Sequence, residues 1–380
     1  MLKIDIYWDL RATDPVRHTG VGKHVIEVIK GLVGTGLFDV RMLIAKDQVE
    51  MWAQQAVVYD WSRLNVVHLP YTNKGYRFRV GAGLPLFLDH ICEERDLVYS
   101  PMEIVLSLKH IPFINTIHGI PCFERTIQSD VYNSGLYRKE RVKQSWFFAR
   151  SRRLCRANFV VSDYLKERLR TQFGFNSNCL YSVYNGAEDF YYRGSECGAV
   201  IGESSESIRL LQVGGANIFD GAPALLQVAR QLEKVYPQAR LEIVGDRHEA
   251  PWEQLLRAQS NVEWSGFLNG PSLLEAMQRS TALLYLPAVE SFGIIGVEAM
   301  AAGLPILAMK STALPEVLGD AALWVNGEDS RSLAAGLKVI VEDDSVRDQL
   351  IARGRKRANC YRWSNVVERV VEGFQQVLSN

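Results

Sequence analysis

Two glutamates, Glu290 and Glu298, delimit a stretch whose residues could bind an anion and hydroxyl groups together. The apolar run 282–286 precedes them and predicts a buried strand, whereas the apolar residues from 294 onward predict a short helix. The first N–H groups of a helix have no intrahelical partner, and the helix dipole adds partial positive charge there. Such a helix start favours an anion, and Gly293 would keep the turn open to it.

The two carboxylates would flank this anion site, because Glu290 lies on the turn and Glu298 lies within the helix. Carboxylates repel phosphate but accept hydrogen bonds from hydroxyl groups. A ligand that satisfies both features carries phosphates and hydroxyls, as a nucleotide sugar does. The alternative interpretation is structural, with Glu290 capping the helix and Glu298 solvated or ion-paired.

The composition of the whole chain narrows the classes of partner. With 380 residues, the chain is long enough for two domains with separate cores. Its 43 basic and 43 acidic residues balance, which argues against a nucleic-acid partner. The six cysteines show no spacing typical of zinc sites or disulfide frameworks, so we expect reduced thiols in a cytoplasmic protein. With no signal peptide and no bilayer-length apolar run, we expect any contact with the inner membrane to be peripheral.

Strand-like apolar runs alternate with helical patterns along the chain, which predicts parallel sheets with crossover helices. The pattern stops at residues 192–207, which are rich in Gly, Ser and Glu, and restarts at Arg209. The expected fold class is therefore α/β, with two doubly wound, Rossmann-like domains. We place the first domain at residues 1–193, the second at 208–361 and a C-terminal helix at 362–380.

Two features of the first half could also do chemistry. Gly20, Val21 and Gly22 form a turn before an amphipathic helix, and such a turn can approach a ligand or simply allow a tight bend. His118 follows an apolar strand and precedes a glycine, so its ring could face a cleft at the carboxyl ends of the strands. A buried, hydrogen-bonded structural histidine is the alternative.

Arg138 and Arg156 delimit a segment with eight basic residues and one acidic residue, and three aromatic residues, Trp146, Phe147 and Phe148, lie at its centre. Basic and aromatic residues on one helix can lie on an anionic membrane surface or hold a lipid diphosphate. The alternative is a helix with a solvated basic face and an aromatic face in the core.

Several short motifs follow one another in a fixed order. They are NG at 185–186, VGD at 244–246, GFL at 266–268, the E-x7-E pattern at 290–298 continued by AMAAGLP, and ALPE at 313–316. With these motifs the chain resembles, over nearly its whole length, the retaining GT-B glycosyltransferases of family 4. The resemblance implies two Rossmann-like domains that face each other across a cleft, with the C-terminal helix returning to the first domain.

The resemblance also implies roles for individual residues. Glu290 would contact hydroxyls of the donor sugar and His118 would lie beside the transferred sugar, so both are expected at the catalytic centre. The turn formed by Gly20, Val21 and Gly22 would approach the reacting atoms. The donor would be bound by Gly214, Gly215, Asp220, Arg247, Leu268 near the base, backbone groups of Phe292, Gly293 and Ile294 at the diphosphate, and Glu298 at the ribose. No metal and no cofactor besides the donor substrate is expected.

One position departs from the family pattern. Basic residues that neutralise the donor diphosphate usually follow the first strand of the second domain, whereas this chain has Asp220 there. Three explanations are open: another cation substitutes, Asp220 contacts a hydroxyl or amino group of an unusual donor, or the protein is a weak enzyme or a binding subunit. We favour the first, because both glutamates and the histidine are present. Arg247 and His248 are the first cations to consider, and Lys310 is the next.

The expected function is a retaining, metal-independent transfer of a mannose-like or rhamnose-like hexose from a nucleotide sugar to a glycan or lipid-linked glycan acceptor. The expected setting is bacterial surface polysaccharide assembly, of lipopolysaccharide, O-antigen or exopolysaccharide. On the family's scheme the leaving phosphate helps to take the acceptor proton, so positioning and charge stabilisation dominate catalysis. Two alternatives are a sugar-nucleotide epimerase on a similar scaffold and a non-catalytic partner that binds nucleotide sugar.

Overall fold

The computed structural model describes residues 1–10, 19–81, 88–124, 135–194, 208–215, 220–245 and 251–379. The chain forms two compact units. Unit 1 comprises residues 1–120, 139–184 and 363–380, and unit 2 comprises residues 121–138 and 185–362. Arg247 and His248 lie outside the described residues, so their predicted roles remain predictions.

Among the described residues, unit 1 contains a sheet of seven parallel strands in the order β3-β2-β1-β4-β5-β6-β7. The strands are β1 (Leu2–Tyr7), β2 (Phe38–Ala45), β3 (Asn65–Leu69), β4 (Leu97–Ser100), β5 (Phe113–Ile117), β6 (Ala157–Val160) and β7 (Leu180–Ser182). The central strands β4, β5 and β6 are buried along their whole length. This burial accounts for their nearly continuous apolar sequences, because both faces of a parallel sheet are covered.

Helices complete unit 1. They are α1 (Gly20–Gly34), α2 (Val49–Val58), α3 (Asn73–Gly81), α4 (Gly135–Leu154, in unit 1 from residue 139), α5 (Asp163–Phe173) and, from the C-terminus, α14 (Trp363–Ser379). The C-terminal helix packs closely on α1, since a Cβ placed on Gly31 would lie 2.2 Å from Val367 Cγ2. Its Phe374 ring stacks on Phe159 of β6 at 5.7 Å. The C-terminal segment therefore belongs to the core of unit 1.

Unit 2 repeats the architecture with a sheet that, in the described part of the chain, has six parallel strands in the order β10-β9-β8-β11-β12-β13. The strands are β8 (Arg209–Val213), β9 (Arg240–Val244), β10 (Val262–Gly266), β11 (Ala282–Tyr285), β12 (Ile306–Met309) and β13 (Ala322–Val325). The order reverses between β8 and β11. Ligands of doubly wound sheets bind beside such a reversal, at the carboxyl ends of the strands.

The helices of unit 2 are α6 (Asp189–Gly194), α7 (Ala222–Val235), α8 (Pro251–Arg257), α9 (Gly270–Gln278), α10 (Ile294–Ala302), α11 (Leu314–Leu318), α12 (Ser330–Glu342) and α13 (Asp344–Ala358). Short 3₁₀ turns cover Lys46–Gln48, Pro121–Phe123, Ser177–Cys179 and Asn359–Tyr361. The helix α10 is short and largely buried, from Gly296 to its end. None of the helices within the described ranges combines the length and apolar character that a bilayer-spanning helix needs.

The division into units differs from the predicted domain boundaries at two places. Residues 121–138, predicted within the first domain, belong to unit 2. We also placed the end of the first domain at residue 193, whereas the chain returns to unit 2 at residue 185. The second difference arises because α6 packs on α10, and its Tyr191 is fully buried there. The last crossing, between residues 362 and 363, lies within one residue of the predicted position. Both sheets are parallel and doubly wound, which confirms the predicted α/β fold class.

Candidate active site

The side chain of Glu290 is held by its own loop, which connects β11 to α10. The hydroxyl of Tyr285, the last residue of β11, donates to Glu290 Oε2 at 2.8 Å. The backbone N–H groups of Ser291 and Phe292 donate to the other oxygen, Oε1, at 3.0 and 3.4 Å. One carboxylate thus organises the turn that precedes α10, as expected for a group that must keep a fixed position.

The backbone of Glu290 is fixed by Thr312, which follows β12. The Glu290 N–H donates to Thr312 Oγ1 at 2.7 Å, and the same hydroxyl donates to the Glu290 carbonyl at 2.5 Å. The N–H of Ala313 donates to that carbonyl as well, at 3.2 Å. The loop after one strand is therefore tied to the loop after the neighbouring strand.

Carboxylates surround the Tyr285 phenol. Burial raises the pKa of Tyr285, and the charges of Glu290, Asp220 and Glu298 raise it further. Burial also raises the pKa of Glu290, while hydrogen bonds from Tyr285, Phe292 and Ser291 oppose that rise by stabilising the charged form. The structure thus brings together three acidic residues that the sequence predicted for the donor site, and Tyr285 lies among them.

Gly293 allows the sharp turn into α10. Its φ of 99° lies in the left-handed region, and an added Cβ would lie 2.7 Å from Leu314 Cδ2 and 3.1 Å from the Tyr285 hydroxyl oxygen. No side chain caps α10, which begins at Ile294. The predicted glycine turn and helix start are therefore confirmed as structure, and their role in binding diphosphate remains a prediction. Because the Phe292 N–H already donates to Glu290, an anion at this turn would compete with the glutamate for it.

Glu298 lies in α10 and is fully buried. Tyr191 of α6 lies beside it: burial, followed by the charges of Glu298 and Glu188, raises the pKa of this tyrosine. Phe292 is buried too, and its ring packs against Tyr361 at 5.4 Å. The packed surroundings give Glu298 a fixed position, whereas its predicted contact with a ribose is untested.

The loop after β8 meets the end of β9. Gly214 and Gly215 have φ values of 111° and 93°, and their N–H groups donate to the Val244 carbonyl at 2.9 and 3.1 Å. A Cβ added to Gly214 would lie 3.6 Å from Asp220 Oδ1, so this carboxylate lies close to the glycine pair. Leu268 is half-buried on the loop after β10, and the structure shows no contact that joins it to the other predicted donor residues it describes.

His118 follows β5 in unit 1. Its N–H and that of Gly119 donate to Glu103 Oε1 at 2.8 and 3.1 Å. Its ring Nε2 lies 2.9 Å from the Pro101 carbonyl, which can only accept, so Nε2 carries the proton and Nδ1 is left as an acceptor. Burial lowers the pKa of His118 to about 4. The ring is therefore neutral at pH 7.

The predicted turn at Gly20, Val21 and Gly22 is the first turn of α1 rather than a loop before it. Thr19 caps this helix by accepting from the Gly22 N–H at 3.1 Å. One turn later, the His24 ring packs edge-to-face on the His118 ring, with centroids 4.9 Å apart. The start of α1 and His118 therefore lie close together within unit 1. A role near the reacting atoms was predicted from the sequence for each of them, but their proximity to one another was not.

Four supporting residues were not predicted from the sequence: Tyr285, Thr312, Glu103 and His24. Each of the first three lies at or just beyond the carboxyl end of a strand, where polar side chains meet. A hydroxyl at the end of the apolar run 282–286 was the available signal for Tyr285. Nothing in the sequence pairs Thr312 with Glu290 or Glu103 with His118, because those partners meet only through the sheet order.

The basic segment forms α4, and its two faces differ. Phe148 is 2% exposed and packs on Phe173 at 4.6 Å, so one face belongs to the core. On the outer face, Val142 is 70% exposed and Trp146 is 43% exposed. The Arg150 guanidinium lies 5.0 Å from the Trp146 ring centre. The exposed face therefore combines cations with apolar side chains.

No group of three or more metal-ligating side chains occurs among the residues that the structure describes. Two sequence profiles of known families match the chain. The profile for "Glycosyltransferase Family 4" matches residues 18–189, and the profile for "Glycosyl transferases group 1" matches residues 199–357. The two matches follow one another and cover the site residues of both units.

Individual proteins resemble the chain over only part of its sequence or at low sequence identity. A phosphatidyl-myo-inositol mannosyltransferase from Mycolicibacterium smegmatis is 33% identical over 162 residues, which are 41% of this chain and 42% of that protein. An O-antigen chain mannosyltransferase B from Escherichia coli is 28% identical over 142 residues, 37% of each chain. This chain thus matches less than half the length of either relative. The Anabaena Alr3699/HepE structure in complex with UDP-glucose superimposes with a TM-score of 0.68 at 15% identity, covering 98% of this chain and 99% of that one.

Proposed function

The chain belongs to the family 4 glycosyltransferases of the GT-B fold, and on this premise we propose that it transfers a hexose from a nucleotide sugar to a glycan acceptor with retention of configuration. The observation that supports this most strongly is the turn around Glu290, which combines a fixed carboxylate with an uncapped helix start. A carboxylate can bind sugar hydroxyls, and the helix start can bind phosphate.

His118 has a different part in the proposed reaction. Because its pKa is about 4, it cannot act as a general acid at pH 7. Its Nδ1 can accept a hydrogen bond from a hydroxyl group of the transferred sugar, while Pro101 fixes the tautomer. The acceptor proton would pass to the leaving diphosphate, so the chain supplies positioning and charge stabilisation and no metal.

Asp220 remains the unusual feature of the proposed donor site. Its charge acts on Tyr285 together with those of Glu290 and Glu298, so an anionic diphosphate there needs a compensating cation. We propose Arg247 or His248 for this role. Lys310, the next cation considered, lines a pocket that contains none of the predicted donor residues described by the structure.

The sugar and the setting are proposed from the relatives. Both curated relatives named above are mannosyltransferases, one of phosphatidyl-myo-inositol and one of O-antigen chains. We propose a mannose-like or rhamnose-like donor sugar and an acceptor in bacterial surface polysaccharide assembly. A lipid-linked acceptor agrees with the exposed face of α4, where Trp146 and Val142 lie among cations.

A thermal-shift screen tests donor binding. The full chain is mixed with UDP, GDP, dTDP and ADP and with their common sugar derivatives. A ligand at 100 times its Kd adds about 2.7 kcal/mol of stability, a shift of a few degrees. We expect one nucleotide sugar to give a larger shift than its nucleoside diphosphate, and we expect Glu290→Gln to remove only the difference. The absence of any shift from all of these ligands contradicts the proposal.

Co-sedimentation with vesicles tests the role of α4. We expect the protein to bind vesicles that contain anionic phosphatidylglycerol at low salt, and we expect Trp146→Ala to weaken this binding. Lys338→Ala, at an exposed position of α12 in unit 2, is the control and should bind as the original chain does. Equal recovery with anionic and neutral vesicles removes the membrane part of the proposal.

Asp220 also motivates a second function, a partner protein that binds nucleotide sugar without turnover. Donor binding in the screen, followed by no transfer and no donor hydrolysis with any acceptor preparation, would favour it. Isomerisation of the bound nucleotide sugar without an acceptor would favour the epimerase that the fold also permits.

A further inference from the structure

A pocket of about 580 Å³ lies in unit 2 at the carboxyl ends of β12 and β13 and beside the start of α7. Its volume is in the range of small-molecule sites, and carboxyl ends of parallel strands are where such sites occur. Lys310, considered above as a substitute cation, is the one described residue with a suggested donor role that lines it; the glycines and acidic residues predicted to bind the donor do not. The pocket therefore needs an explanation of its own.

Ser311 lines this pocket with an unsatisfied hydroxyl. The residue is 3% exposed, and its Oγ has no hydrogen-bond partner in the described part of the chain. A buried hydroxyl without a partner lowers stability, so its presence in a well-packed loop calls for a reason. A bound ligand would supply the missing partner.

Lys310 gives the pocket a cation next to that hydroxyl. It is exposed, and it forms no salt bridge with any residue in the described ranges. The start of α7, after Gly221, also borders the pocket, and no side chain caps this helix. A lysine, a hydroxyl and a helix start together favour an anion with several acceptor oxygens, of which phosphate is the common biological example.

The other walls suit a sugar. Trp324 donates its indole N–H to the Gly319 carbonyl at 2.9 Å, so the carbon surface of its ring is what remains for a ligand. Asn326 and Glu328 are exposed polar residues of the same pocket and can bind hydroxyl groups. The carboxylate of Glu328 would repel a second phosphate, which favours a monophosphate over a diphosphate.

From these contacts we propose that the pocket at Lys310 and Ser311 is a second small-molecule site, which binds a sugar monophosphate separately from the nucleotide sugar. The phosphate lies at Lys310 and Ser311, and the sugar ring lies toward Trp324 and Glu328. The site concerns binding only and requires no catalytic step.

Calorimetric titration of the full chain with mannose 6-phosphate and glucose 6-phosphate tests the site, with mannose, glucose and inorganic phosphate as comparison ligands. We expect at least one sugar phosphate to bind more tightly than both its free sugar and inorganic phosphate. Lys310→Ala should weaken that binding about tenfold, the usual effect of losing a charge-assisted hydrogen bond. Lys338→Ala, an exposed lysine of the same unit, should bind normally.

Ser311→Ala gives an independent signature. It should weaken sugar-phosphate binding while leaving the melting temperature of the free protein unchanged or higher, because it removes an unsatisfied buried hydroxyl. A purely structural role for Ser311 would instead lower the melting temperature and leave binding unchanged.

The proposal would be overturned by no binding of either sugar phosphate, by binding that Lys310→Ala leaves intact, or by displacement of the sugar phosphate by saturating UDP or GDP. Inorganic phosphate that binds as tightly as the sugar phosphates would likewise overturn it in favour of a simple anion site. All of these results are read without any transfer assay, so they are distinct from a failure of the proposed function.

Discussion

The loops that contain Glu290 and His118 are both fixed by a glutamate carboxylate, but the position of that glutamate differs. Each follows a buried parallel strand, and in each a glutamate carboxylate accepts two successive backbone N–H groups. In unit 1 the loop is supported by the carboxylate of Glu103, whereas the group predicted to contact the sugar is the ring of a different residue, His118. In unit 2 Glu290 is both the support of its loop and the residue predicted to bind substrate.

This difference has a physical consequence. Nδ1 of His118 needs no rearrangement before it accepts a hydrogen bond, because Glu103 and Pro101 hold the turn and the tautomer. To bind sugar hydroxyls as proposed, Glu290 would use lone pairs that Tyr285, Ser291 and Phe292 leave unoccupied, or release one of these donors. We therefore expect substitutions at Glu290 to disturb both the loop structure and catalysis. Near His118, different residues should carry these two roles, so substitutions there can affect one without the other.

The largest expected effect is that of Glu290→Gln. The variant loses a charge at the proposed reacting centre, and its amide cannot accept the same set of donors. We expect kcat to fall about 100-fold to 1000-fold, as for the loss of a preorganised electrostatic contact. Steady-state transfer kinetics with the donor found in the screen measure it. Glu342→Gln removes a surface glutamate that also accepts a tyrosine hydroxyl, and full activity is expected of this control.

The next prediction is that the protein loses stability at acid pH because His118 is buried in its neutral form. The folded pKa of about 4 is below the ordinary value of 6.5, so the unfolded chain binds this proton first as pH falls. Stability is thus lost between pH 6.5 and pH 4, by up to about 3 kcal/mol from this residue. Urea unfolding at pH 7 and pH 4.5 should show a smaller loss for His118→Gln than for the original chain. An identical loss in both would show that His118 titrates normally.

Glu103→Gln should have a smaller effect, because Glu103 supports the His118 loop and, as proposed, does not itself contact the substrate. The amide oxygen still accepts the His118 and Gly119 N–H groups but more weakly, so we expect kcat to fall about tenfold. The donor KM should change little, because Glu103 has no proposed contact with the donor. Asp89→Asn is the matched control, since Asp89 also accepts two successive N–H groups, from Lys109 and His110. If both variants lose activity equally, Glu103 has no special role.

The smallest expected effect is that of Tyr285→Phe, which removes one of the donors to Glu290. Two backbone donors remain, so we expect kcat to fall about threefold to tenfold, with a shift of the acidic limb of the pH profile. That limb should move to higher pH, because Tyr285 stabilises the charged form of Glu290. Tyr236→Phe removes a similar tyrosine–glutamate hydrogen bond from the surface and should leave the profile unchanged.

The fold was largely predictable because its signals are local. Strand β8 begins at Arg209, where the apolar pattern was expected to restart, and the turn at Gly293 was visible as a glycine between a strand and a helix. A pattern within ten or twenty residues is enough to predict such elements.

The supports of the site were not predictable, because they depend on which strands are neighbours. Thr312 can hydrogen-bond to Glu290 because β12 pairs with β11. Glu103 can hydrogen-bond to the His118 N–H because β4 pairs with β5. The start of α1 at Gly20, expected as a loop, depended on capping by Thr19. Partners that are distant in sequence are fixed by tertiary packing, which hydrophobic periodicity does not encode.

In the proposed reaction, the Glu290 loop holds a sugar while its anomeric configuration is retained. Proton NMR of the transfer product measures this most directly, with the nucleotide sugar found in the screen as donor and a matching glycan as acceptor. We predict a product with the same anomeric configuration as the donor and, in the same reaction time, a yield from Glu290→Gln that is about 100-fold to 1000-fold lower. A product of inverted configuration, or an undiminished yield from Glu290→Gln, would contradict this prediction.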